Sequence, residues 1–220
     1  MYLVAADESQ PAATAKKRKP CVAISTQKGI TERKLFDGKT LKGWKATNFG
    51  GEGDVIVEKG NLVLGFGSFM TGVTYAGDDK LPSSNYEVIL EAQRVDGNDF
   101  FCGLTVPYHD SHFSLIVGGW GGGVVGISSI DGYDASENET TKYIPFKKGV
   151  WYCIRLRVTD EQIEAWIDDA QIVSCKTKGR KLTTRVEVDL SKPFGISAFD
   201  TRAALRNIRL RTWNDSGDAK

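Results

Sequence analysis

The residue types best suited to chemistry in this chain cluster between positions 109 and 139. They are two histidines, a tryptophan set among glycines, and a run of carboxylates. Gly118-Gly119-Trp120-Gly121-Gly122-Gly123 brackets one indole with five glycines. Backbone of this kind packs little side chain of its own and lets a ligand come close. An exposed Trp120 would offer a flat apolar face to the C–H face of a sugar ring, with an N–H donor at its edge. The alternative is a Trp120 that plugs the end of the core while the glycines make bends. A few residues on, Asp131, Asp134, Glu137 and Glu139 place four carboxylates within nine residues. Three readings compete for them: a solvated loop, a loop giving carboxylates to sugar hydroxyls or supplying an acid/base pair, and a calcium site. Hard oxygen ligands are plentiful for calcium, but the spacing is not that of an EF-hand loop. Asn138-Glu139-Thr140 also satisfies an N-glycosylation sequon.

His109 and His112 are the only histidines. On a strand, residues i and i+3 point to opposite faces, so one metal could take both only across a turn; Pro107 makes such a turn plausible. Two other readings stand beside the metal: one histidine as a hydrogen-bonding or proton-transfer group in a cleft, for which His112 is the candidate, or both as surface residues at a loop. Asp99 and Asp110 are the nearest carboxylates in sequence. Other chemical signatures are absent: no Gly-x-Ser-x-Gly elbow, no phosphate-cradling loop, no dinucleotide fingerprint.

The elements that must position these groups read as strands. Val55-Ile56-Val57 and Leu62-Val63-Leu64 flank Lys59-Gly60-Asn61, a hairpin signature. Tyr86, Val88, Leu90 and Ala92 alternate with Glu87, Ile89, Glu91 and Gln93. Tyr152, Ile154, Leu156 and Val158 alternate with Cys153, Arg155 and Arg157. Ile163, Ala165 and Ile167 alternate with Glu164 and Trp166, and Ile208 and Leu210 with Asn207, Arg209 and Arg211. Period 2 recurs throughout, and no stretch carries a helical period over 11 or more residues. Strands with one apolar face need a second sheet to cover it. About 12 of them, joined by turns rich in the chain's 24 glycines, predict an all-β, two-sheet jelly-roll sandwich. On the polar face of these strands, Glu87, Glu91, Arg155 and Arg157 are either a wet face with cross-strand ion pairs or, on a concave sheet, groups facing a ligand.

With 220 residues, one domain is the better prior. Lys plus Arg is 29 and Asp plus Glu 28, a balance that removes the electrostatic case for a nucleic-acid binder. No apolar run reaches the roughly 18–20 residues of a transmembrane segment. Residues 1–33 read as a flexible leader, with a Lys16-Lys17-Arg18-Lys19 block and a Met1–Ala6 stretch like the tail of an export signal. Residues 34–213 form the jelly-roll domain, and 214–220 a tail. Four cysteines show no CxxC spacing; Cys102 reads as a buried hydrophobe, and Cys153 and Cys175, flanking a predicted hairpin, are candidates to pair.

Leu35-Phe36-Asp37-Gly38-Lys39-Thr40-Leu41-Lys42-Gly43-Trp44 resembles the opening of the 3-keto-disaccharide hydrolase-type domain. Gly149-Val150-Trp151-Tyr152 leading into Ile163–Asp169, and the closing Leu205–Leu210, fit the same resemblance. It implies a concanavalin A-like/laminin G-like jelly roll, export to the periplasm or cell exterior, and hydrolysis of 3-keto-glycosides by at least some members. The stretch from Asp99 to Thr141 departs from the commoner pattern, so no known catalytic set transfers to it. The expectation is a carbohydrate-active domain with a carbohydrate as partner, a glycoside hydrolase of 3-keto-disaccharide type. The alternatives are a non-catalytic carbohydrate-binding module or a structural interaction domain. His112, Asp131, Asp134 and Glu137 are the catalytic candidates. Asp99, Trp120, Asn138 and Glu139 are the substrate-binding candidates, with calcium at the acidic loop the one cofactor considered.

Overall fold

The computed structural model describes Cys21 and residues 29–213. The basic block, the Met1–Ala6 stretch and the tail 214–220 lie outside the described residues. Among those residues the strands are Thr31–Lys34 (β1), Trp44–Ala46 (β2), Val55–Glu58 (β3), Asn61–Leu64 (β4), Met70–Tyr75 (β5), Tyr86–Gly97 (β6), Cys102–Tyr108 (β7), Ser111–Gly119 (β8), Val124–Ser128 (β9), Lys142–Tyr143 (β10), Trp151–Val158 (β11), Gln162–Ile167 (β12), Ala170–Lys176 (β13), Gly195–Phe199 (β14) and Thr201–Thr212 (β15). The one helical element among the described residues is a short 3-10 segment, Val186–Ser191. An eight-stranded sheet runs β13-β12-β11-β6-β15-β4-β3, with β1 also on β15; a seven-stranded sheet runs β10-β9-β8-β7-β14-β5-β2. The two antiparallel sheets make the expected jelly-roll sandwich.

Alternation decides what lies between the sheets. Tyr86, Val88, Leu90 and Ala92 of β6 and Ile154, Leu156 and Val158 of β11 face Leu104, Val106, Phe113, Leu115 and Val117 of β7 and β8, all at most 1% exposed. A buried aromatic hydroxyl needs a partner, and the Tyr86 hydroxyl finds it across the core, donating to the Pro107 carbonyl at 2.5 Å. The hairpin between β3 and β4 turns on Lys59 and Gly60, both at positive φ, as a two-residue turn of matching twist requires.

The opening motif is a structural device. Leu35, Phe36 and Trp44 are buried, and the Trp44 indole N–H donates to the Leu35 carbonyl at 2.7 Å. Between them the Asp37 carboxylate accepts from the amides of Lys39 and Thr40 at 2.7 and 2.8 Å. These bonds hold its pKa down at about 2.

The polar faces of β6, β11 and β15 point away from the core of the eight-stranded sheet. There, cross-strand ion pairing is what the structure realises, though the face is only partly wet. Glu87 is fully buried among Arg155, Arg157 and Arg211 at 3.5–3.6 Å. Burial pushes its carboxyl upward in pKa against the pull of those guanidiniums. Arg155 stacks over Trp166 at 4.0 Å, and Arg206, paired with Glu91 at 2.5 Å, stacks over Trp151 at 4.0 Å. The cysteines correct one expectation. Cys153 is bonded to Cys21, not to Cys175, and both Cys102 and Cys175 are free and buried. The side chain of Cys175 instead packs into the hydrophobic core from β13, while Cys153 lies on the opposite face of β11 from Ile154.

Candidate functional site

The outer face of the seven-stranded sheet is built differently. His112, Ser114 and Ile116 alternate outward along β8, opposite the core residues Phe113, Leu115 and Val117. Small polar side chains pave this face: Thr105 and Ser114 hydrogen-bond to each other at 2.8 Å, with Ser128 and Ser197 on the neighbouring strands, all buried. Two segments fold over it. The acidic loop packs through Ala135 against Ile116 and Val124. The 3-10 segment buries Val188 and Ser191 and is tied down where Thr74 Oγ1 donates to the Leu190 carbonyl at 3.1 Å. Between these segments and the β8–β9 turn lies a cleft of about 270 Å³.

Trp120 forms one wall of this cleft and is 43% exposed, which settles against its being a core plug. It sits at the tip of the β8–β9 connection with φ of 48°, between Gly118 at 84° and Gly121 at 81°. A non-glycine residue in this region is held there by its surroundings, and two groups do the holding. The Arg94 guanidinium, 5% exposed, donates to the carbonyls of Gly118 and Gly122 at 3.0 and 2.8 Å and to that of Asp99 at 3.0 and 3.2 Å. The Asp99 carboxylate accepts from the Gly121 amide at 2.9 Å and from the Phe100 amide at 2.7 Å. Asp99 itself lines the cleft beside Trp120, as do Phe100 and Phe199.

The opposite wall comes from the stretch leading into the 3-10 segment. Arg185 and Glu187 line it, joined at 2.8 Å. This contact lowers the Glu187 pKa and raises that of Arg185, so Glu187 is kept ionised. Asp134 pairs with the other end of the same guanidinium at 2.6 Å, leaving a further N–H on each terminal nitrogen for a ligand. Ser114 and Ser128 contribute hydroxyls from the floor.

The expected site residues divide accordingly. Trp120 and Asp99 stand in the cleft, and Asp134 reaches it through Arg185. Asp131 and Glu139 are turned aside: both hold Arg180, Asp131 at 2.6 Å; the Lys181 amide and then Arg180 lower the pKa of Asp131, and Arg180 lowers that of Glu139. Glu137 is exposed and is absent from the cleft lining. Asn138 braces the acidic loop. Its amide donates to the carbonyls of Ile127, Tyr133 and Asp134 at 2.8, 3.1 and 2.7 Å, and its carbonyl oxygen accepts from Thr140. That use of the amide leaves no room for the sequon to be modified in the folded chain. Three of the four carboxylates considered for calcium, Asp131, Asp134 and Glu139, are thus paired with arginines, and among the described residues no group of three or more His, Cys, Asp or Glu is placed to hold a metal. His112 and His109 flank the β7–β8 turn. His112 lies at the far end of β8 from Trp120, roughly 27 Å along the strand. It sits beside Asp189 and Lys192, with burial the main cause of its lowered pKa.

A family model described as the 3-keto-alpha-glucoside-1,2-lyase-like domain matches residues 31–211. The chain belongs to this family. Membership makes it a carbohydrate-active domain, and the match spans both sheets, the cleft and β1. No curated protein matches the chain. Among solved structures it is similar to a Bacillus subtilis protein with a galectin-like fold, at 10% identity and a TM-score of 0.58, covering 84% of this chain and 96% of that one. It is also similar to the Crh5 transglycosylase in complex with NAG, at 10% identity and a TM-score of 0.55, covering 86% and 85%. A third is the carbohydrate-binding module CBM66 of Bacillus subtilis, at 14% identity and a TM-score of 0.50, covering 76% and 94%. At these identities the likeness is one of fold.

Sequence reading missed the charged cleft residues Arg185 and Glu187, along with the lining residues Phe100, Ser114, Ser128 and Phe199. The stretch that carries the charged pair, Arg185-Val186-Glu187-Val188-Asp189-Leu190, alternates with the period of a strand but folds as the 3-10 segment, so its local pattern points to the wrong element.

Proposed function

We propose that the chain binds a 3-keto-glycoside in the Trp120 cleft and cleaves its glycosidic bond by elimination, with water adding to the product afterwards. The observation that carries this reading is the convergence of two carboxylates, Asp99 and Glu187, and one guanidinium, Arg185, on a cleft walled by an exposed indole. Family membership supplies the substrate class. Trp120 stacks on the sugar ring. The ketone at C3 acidifies the C2–H bond, and Glu187, held ionised, accepts that proton. Arg185 faces the C3 oxygen as negative charge develops there. The electron pair of the C2–H bond becomes the C1–C2 double bond as the C1–O bond breaks and its oxygen leaves with the pair. Asp99, both of whose oxygens hold backbone amides, fixes the Trp120 turn and does not act as the base.

A second reading, a non-catalytic carbohydrate-binding module, is favoured by one observation: Arg185 already neutralises Glu187. Incubation with a panel of disaccharides and their 3-keto forms, followed by product detection, separates the two. Turnover of a 3-keto form that Glu187→Gln abolishes without loss of binding supports the elimination. Binding without turnover supports the module, and the absence of both refutes a sugar site here. Export to an oxidising compartment is part of the same proposal, supported by the Cys21–Cys153 disulfide.

A further inference from the structure

The cleft does not end at the sugar platform. Phe100 and Phe199, both in its lining, stack at 5.9 Å between ring centres and 28° between planes, and Phe199 stacks in turn on Phe69 at 6.3 Å and 25°. The three phenyl rings make a continuous strip that leads out of the cleft and ends on Phe69, 72% exposed. Two ring-to-ring steps are more than one pyranose covers.

The exposure of Phe69 is built in. The segment that carries it is zipped to the backbone of residues 51–54: the Ser68 amide donates to the Gly51 carbonyl at 2.7 Å and the Gly65 amide to the Asp54 carbonyl at 2.8 Å. The approach is so close that a Cβ on Gly67 would lie 2.7 Å from the Gly51 oxygen, and one on Gly53 would lie 2.0 Å from the Phe66 oxygen. On the other side the Asp200 amide donates to the Phe69 carbonyl at 2.9 Å. A large apolar ring fixed in water beside a binding cleft is a preorganised contact, with little ordering left to be done on binding.

We propose that this strip is a subsite for an aromatic aglycone, so that the substrate is an aryl glycoside whose sugar lies against Trp120 and whose planar aglycone lies along Phe100, Phe199 and Phe69. The proposal rests on the elimination reading above. Phenylalanine has no polar edge to offer sugar hydroxyls, whereas offset stacking suits a second aromatic ring. The chemistry of the cleft agrees. Glu187 is held ionised by Arg185, so it is poorly suited to protonate a departing oxygen. A phenolic oxygen, with a pKa near 10, leaves as the phenolate with the C1–O electron pair and takes its proton from water. The C2 proton goes to Glu187.

The test compares phenyl and methyl 3-keto-α-glucosides, by calorimetric binding and by release of phenol or methanol, for the native chain, Phe69→Ala and Trp120→Ala. The expected result is a native preference for the phenyl glycoside. Phe69→Ala should reduce affinity for that ligand about three- to tenfold and leave the methyl glycoside unchanged, while Trp120→Ala weakens both. Equal handling of the two glycosides by the native chain, or an equal effect of Phe69→Ala on both, overturns the aromatic subsite while leaving the sugar site standing. Failure of the native chain to bind either overturns both. Because Phe69 is exposed, Phe69→Ala folds, and an unchanged melting temperature verifies it.

Discussion

The carboxylate of Asp99 accepts the amide hydrogen of Gly121, the residue that follows Trp120, at 2.9 Å. One cleft residue thereby fixes the backbone of another across 22 positions of sequence. Asp99→Ala should cost about 1 kcal/mol of stability, the worth of hydrogen bonds to a charged acceptor at a half-exposed site. It should also free the indole to sample other orientations. Tryptophan fluorescence anisotropy and sugar titration check this: affinity should fall roughly tenfold, with the melting temperature only slightly lowered.

Arg94 holds the same turn from below. Its guanidinium serves the carbonyls of Asp99, Gly118, Gly122 and Phe146 from an almost fully buried position. Arg94→Met keeps most of the volume but strands those carbonyls, so a loss of about 2–4 kcal/mol is expected. Chemical denaturation measures it. Arg94→Lys, which restores the charge but not the fork of donors, should recover only part.

Cys21 and Cys153 are 132 residues apart, so their bond closes a long loop. Reduction, or Cys153→Ser, should lower stability by about 2–4 kcal/mol. Thiol titration offers a second check. Unreduced protein should release two reactive thiols in denaturant, from Cys102 and Cys175, and almost none while folded, since both are buried.

Asp37 gives the acid side of the stability profile a definite sign. Its folded pKa of about 2 lies below the unfolded value near 3.9. The stabilisation is therefore complete above about pH 4 and is lost as pH falls through 2. Thermal melts between pH 2 and 5 should show a steep fall for the native chain and a shallower one for Asp37→Ala. Other carboxylates with lowered pKa values, such as Asp131 and Asp189, keep the slope from vanishing.

Much of the fold is legible because alternation is a local property. The inward set Tyr86, Val88, Leu90 and Ala92 can be read directly from β6, and Lys59-Gly60 names its own turn. Alternation says which residues share a face but not what covers that face, which is why the complete burial of Glu87 among three arginines is not visible in the sequence. The Cys21–Cys153 bond joins segments with no local signal connecting them. In the cleft, the glycines around Trp120 announce an unusual backbone. Arg185 and Glu187 belong to a stretch that alternates like a strand yet folds as a 3-10 segment over the sheet beneath it, so only the assembled chain brings them opposite the indole.

Arg94 springs from β6, deep in the eight-stranded sheet, yet its fingers close on a turn of the other one. The recognition turn is therefore not a portable cassette. Grafted alone onto a related sandwich, it would arrive without the arginine that shapes it, and any redesign of ligand preference in this region must carry the central strand of the opposite sheet along with it.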